Sequence, residues 1–160
     1  MRNSKLKLML AGTLIVGAVT AFSLRSAWAT PGSKISTTII AGPTALGDNH
    51  VKSDSDVNDV HLKTKGSSDV YVVLNRIQPG GHTGWHSHPG PSIVSVVSGR
   101  ATEYRDDDPD STVYPAGNAF VDEGGDHAHI IVNEGSTELV LVAFQILPDG
   151  AERRIDKPAP

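Results

Sequence analysis

Past its N-terminal segment, the chain runs through short stretches in which apolar and polar residues alternate, separated by Gly, Pro and Asp. Val60, Leu62 and Thr64 interleave with His61, Lys63 and Lys65, a period of two that gives a strand one apolar face. Further β-branched runs lie at residues 35–40, 70–78, 92–98, 100–105, 119–121, 128–132 and 138–147. No 3.6-residue apolar stripe occurs outside the N-terminal segment. Several short strands at this spacing predict an all-β sandwich or barrel. Ser98-Gly99 reads as a tight hairpin turn between the strands that flank it. The Asp-rich run at residues 106–110 reads as an exposed loop, and so does the polar stretch 48–59. Within the latter, Asp54-x-Asp56-x-Asn58 starts like a calcium loop, but Asp59 stands where that loop needs Gly and Lys65 where it needs Glu.

Arg2, Lys5 and Lys7 precede a stretch of apolar and small residues at 8–22, and Ala27-Trp28-Ala29 is a small-x-small pattern. Together they predict a secretory signal peptide cleaved after Ala29, a secreted or periplasmic location, and no stable membrane association after cleavage. An uncleaved anchor is the alternative, although the apolar stretch is barely long enough to span a bilayer. The leader takes four of the fourteen Lys and Arg and none of the eighteen Asp and Glu, so the mature chain is strongly acidic. That balance argues against nucleic acid or an anionic membrane surface as partners. There is no Cys, which removes disulfides, thiolate ligands and Cys nucleophiles together. About 130 residues then rely on an ordinary hydrophobic core, which that length can supply.

Five of the seven histidines lie between residues 82 and 129. His86 and His88 are one residue apart among glycines, so in a strand both imidazoles point to one face. His127 and His129 form a second His-x-His. Imidazole is the commonest metal-ligating side chain.

These segments resemble the two motifs of the cupin superfamily. The first runs Gly80, five residues, His86-Ser87-His88, three residues, Ser92, six residues, Gly99. Every spacing fits, with Ser92 where cupins carry Glu. The second runs Gly117, five residues, Glu123-Gly124-Gly125, three residues, His129, three residues, Asn133, with Glu123 in place of Pro and one residue extra. Alongside the leader at 1–29, N-terminal strands and loops at 30–69 and a polar, Pro-containing loose tail at 148–160, the resemblance implies a single-domain cupin jelly-roll β-barrel with its core at 70–147. It also implies one divalent transition metal (Fe, Mn, Zn, Ni or Cu) held by His86, His88 and His129.

Ser92 departs from that pattern. A serine hydroxyl is a poor ligand beside imidazole, so the expectation is an open three-histidine site. Three protein ligands leave positions for water or substrate, and the missing carboxylate favours an anionic small molecule. His82 and His127 are candidates for an additional ligand or a contact behind the ligands, as is Ser92 itself. Asp122, Glu123 and Asp126 cluster on the loop before His129, where a carboxylate could orient a ligand imidazole through its free N–H; together they read as a solvated acidic turn. A dioxygenase-like oxidoreductase is the leading function, since an open histidine site accepts both substrate and O₂. A Lewis-acid isomerase or decarboxylase is its neighbour, and a non-catalytic metal- or ligand-binding protein is the alternative from another class. The resemblance also allows a homodimer joined through sheet edges.

Overall fold

A computed structural model describes residues 29–160; the expected signal peptide lies almost wholly outside them. In chain order the strands are β1 (Ser33–Leu46), β2 (Asn49–Ser55), β3 (Asn58–Thr64), β4 (Ser68–His82), β5 (His86–Ser87) and β6 (Ser92–Ser98). They continue with β7 (Arg100–Arg105), β8 (Asp108–Pro115), β9 (Ala119–Asp122), β10 (His129–Val132), β11 (Leu139–Pro148) and β12 (Ile155–Asp156). Among the described residues there is no helix. One run of neighbours is β1-β4-β11-β6-β9 and the other is β12-β5-β10-β7-β8, with antiparallel pairing throughout. The two runs join where Val132 of β10 pairs with His82 of β4, giving a nearly closed barrel.

Alternation sets what faces inward. In β6, Ser92, Val94 and Val96 are buried while Ile93, Ser95 and Val97 are exposed. The same phase in β9 buries Phe120 and Asp122, and in β11 it buries Leu139, Leu141, Ala143, Gln145 and Leu147. A one-residue slip in any of these strands would turn its core set outward, forfeiting about 1.5–3 kcal/mol for each large apolar side chain. Tyr114 stacks on Phe120, with centroids 4.5 Å apart. Asn133 ties the far side of the barrel together. Its Nδ2 donates to the carbonyls of Ile77 and Thr137, both at 2.8 Å, and its Oδ1 accepts from the Gly135 amide.

Three local expectations change. Among the described residues β6 and β7 do not pair: the chain leaves one run at β6 and enters the other at β7. Gly99, at φ +78°, makes this change of layer, packed so closely on the backbone of Glu138 and Leu139 that a Cβ would clash. The stretch 48–59 is not a loop: β2 and β3 form a separate hairpin exposed on both faces, which is why β2 carries no apolar alternation. The C-terminal segment is tied down, because Ile155 and Asp156 of β12 pair with Ser87 and His86 of β5.

Candidate metal centre

His86 and His129 are cross-strand partners on β5 and β10, and their rings lie 4.5 Å apart. His88 follows β5 in the same phase as His86, its ring 4.8 Å from that of His86 and 5.9 Å from that of His129. All three are buried, and one ring nitrogen from each lies within 4.8 Å of the others. Donors sharing one ion at about 2.1 Å lie within about 4.2 Å of each other, so the cluster needs only a small inward movement to enclose one.

Each ring is oriented from behind. His86 Nδ1 lies 2.8 Å from the Gly84 carbonyl, His88 Nδ1 2.6 Å from the Arg153 carbonyl, and His129 Nδ1 2.9 Å from Glu103 Oε1. These oxygens only accept, so each Nδ1 carries the hydrogen and each Nε2 presents its lone pair to the centre. Burial pushes the pKa of His86 well below its usual value, reinforced by the charge of His129. Burial also lowers His88 to about 4, outweighing the attraction of Asp122. Neutral imidazoles with free Nε2 atoms are the form that binds a metal. Two buried atoms face the centre with no hydrogen-bond partner: His129 Nε2 and Asp122 Oδ2. A cation between them would satisfy both, so the residues present fit a divalent metal.

The other sequence candidates divide. His82 is half-buried, its Nδ1 accepting from the Gly84 amide at 3.1 Å, and it does not line the cavity. His127 is exposed and paired with Asp107 at 3.2 Å, away from the other rings. Ser92 does line the cavity, and its Oγ accepts from Gln145 Nε2 at 3.0 Å. Asp122 is not part of a solvated turn: it ends β9 on the inward face beside Phe120 and is buried. The site therefore contains a carboxylate after all.

Three residues at the site, Glu103, Gln145 and Arg153, escape the sequence reading, which puts a fourth, Asp122, on a solvated turn. Glu103 shares the inward phase of β7 with Ala101, a signal that alternation could have given. Asp122 follows Phe120 by two, and extending that strand by one residue would have placed it. Gln145 and Arg153 left no such mark. The cavity in front of the histidines measures about 280 Å³, with Ile35, Val94 and Phe120 on its apolar walls and Arg153 among its polar ones. Arg153 donates to Gln145 Oε1 at 3.3 Å. Burial, and then the charge of Arg154, lowers its pKa from the usual guanidinium value. Among the described residues no carboxylate lies within ion-pair distance of it.

Residues 73–144 match the cupin domain model. The matched segment begins within β4 and ends within β11, less than half of the chain. The chain is similar to an uncharacterised double-stranded β-helix protein from Klebsiella pneumoniae, at 24% identity over 56% of this chain and 76% of that one, with a TM-score of 0.47. It is similar to an oxalate oxidase in complex with glycolate at 28% identity, over 48% of this chain and 41% of that one, with a TM-score of 0.43. The chain thus spans less than half of that oxidase. A predicted oxalate decarboxylase from Thermotoga maritima matches at 23% identity over 52% of this chain and 83% of that one, with a TM-score of 0.42. No curated protein matches the chain in sequence.

Proposed function

We propose that the chain is an exported, metal-dependent cupin that acts on a small anionic molecule, with dioxygenase-like oxidation as the leading reaction class. The observation that carries this reading is the set of three buried histidines, each locked through Nδ1 with Nε2 turned inward, beside the cavity that also takes Arg153. When bound, a divalent transition metal supplies Lewis acidity or, as iron, a redox centre.

The chain's own residues do the rest. The histidines hold the ion. Arg153 offers a planar fork with no acidic partner among the described residues, the geometry that recognises a carboxylate or another oxyanion. Ile35, Val94 and Phe120 exclude water around the bound molecule and so strengthen that attraction. A cavity of about 280 Å³ suits a compact ligand rather than a polymer.

The test loads the full chain with Fe(II) without air and follows O₂ uptake against a panel of small carboxylates. Uptake with at least one carboxylate, lost in His86→Ala and in Arg153→Ala, is the expected result. Metal bound without O₂ uptake but with turnover of a carboxylate would select Lewis-acid isomerase or decarboxylase chemistry. Ligand binding without turnover would select a binding protein.

A further inference from the structure

Gln145, Ser92 and Asp122 form one row across three adjacent strands. Ser92 of β6 pairs with Gln145 of β11 on one side and with Asp122 of β9 on the other. All three are buried and face the cavity. Ser92 stands where the family motif carries its carboxylate, and its hydroxyl is already engaged by Gln145. One strand over, Asp122 turns Oδ2 toward the histidines, 4.0 Å from His88 Nε2 and 3.9 Å from His129 Nε2.

We infer that Asp122 is the fourth protein ligand of the metal, a carboxylate moved from the motif position at Ser92 to its cross-strand partner. This deepens the proposed function and rests on its metal site. Both distances fall within the roughly 4.2 Å allowed to two donors on one ion. Asp122 Oδ2 is buried without a partner, as is His129 Nε2, and a buried carboxylate oxygen left so is costly unless a cation meets it.

The other oxygen is fixed. Asp122 Oδ1 accepts from the Gly124 amide at 3.0 Å, and the Gly125 amide donates to the His88 carbonyl at 2.7 Å. The loop after Asp122 is thus latched to the segment after β5 that carries His88. Three imidazoles and one carboxylate would hold the ion, with the cavity in front of them available to a substrate. The charge expectation is sharpened too: Asp122 offsets one charge of the ion, and Arg153 restores a cation on the substrate side of the cavity.

Asp122→Asn tests this without disturbing the latch, because its amide oxygen can still accept from Gly124. Co(II) titrations of the full metal-free chain give both affinity and a visible spectrum that reports the ligand set. Expected is a loss of affinity at least as large as the roughly 10–100-fold that follows removal of a group behind a ligand, with a changed spectrum. Glu123→Gln, which removes the same charge from the exposed neighbour, should bind Co(II) as the wild type does. Adding Ser92→Glu to Asp122→Asn should return affinity by placing a carboxylate at the motif position. Unchanged affinity and spectrum in Asp122→Asn would overturn the assignment, and so would an equal loss in Glu123→Gln. If the wild type binds no Co(II), it is the metal site itself that fails.

Discussion

His129 donates from Nδ1 to Glu103 Oε1 at 2.9 Å, with both side chains buried. The carboxylate fixes the imidazole tautomer and leaves Nε2 as the nitrogen that faces the centre. Tyr114 reaches the second Glu103 oxygen at 3.4 Å, so the support extends into β8.

Glu103→Gln keeps an acceptor for Nδ1 but removes the charge. Metal affinity, measured by competition with a chelator, should fall by about 10–100-fold while the metal-free protein unfolds near its original temperature. Glu103→Ala leaves the Nδ1 hydrogen buried and unpaired, and should additionally cost about 1–3 kcal/mol of stability in denaturant titration.

The acid limb of stability follows from the histidines. Burial keeps His86 well below its usual pKa and His88 at about 4, whereas unfolded imidazoles titrate near about 6.5. Between those values the unfolded chain binds more protons, so the metal-free protein gains stability as pH rises from about 4 to about 6.5 and then levels off. Thermal unfolding across that window should show this slope, and replacing His88 by Asn should make it shallower, leaving the part that comes from His86. A wild-type profile that is flat or falling with pH would contradict the burial argument.

The C-terminal segment separates two roles in one residue. The Arg153 carbonyl orients His88, while its guanidinium faces the cavity. Arg153→Ala keeps the carbonyl, so Co(II) affinity should stay within about 3-fold while carboxylate perturbation of the Co(II) spectrum is lost. Truncation after Asp149 removes both, and should weaken metal binding as well by about 10-fold or more.

Gly124 sits at φ +75° with its Cα against the Gly90 backbone, where a Cβ would clash. Gly124→Ala should destabilise the protein by about 1–3 kcal/mol, read by denaturant titration. It should also lower metal affinity, because the loop that presents Asp122 can no longer close on His88.

Much of the barrel is legible in the residues because its inward faces alternate with exposed ones. β6 and β7 coincide with their sequence-read ranges, β9 and β10 differ by one residue at an end, and β11 is shifted by one residue at both ends. β2 and β8 are missed for one reason: exposed almost throughout, they carry no apolar period. The turn at Ser98-Gly99 is readable from glycine, but its partner is not, since a change of layer and a hairpin ask the same of the backbone. The histidine cluster follows from phase and motif spacing. What orients it is harder to read, because the acceptors at Gly84 and Arg153 are backbone carbonyls, which any residue supplies. Asp122 shows how little separates a loop from a ligand position: one more residue of strand turns a carboxylate from solvent into the cavity.

The most direct test of the account is the metal content of the full chain purified after native expression, by elemental analysis per mole of protein. The account predicts one divalent transition metal per chain, lost in each of His86→Ala, His88→Ala and His129→Ala and kept in His127→Ala. Wild-type protein without stoichiometric metal that also takes up none on titration, or metal retained when His129 is replaced, would contradict it.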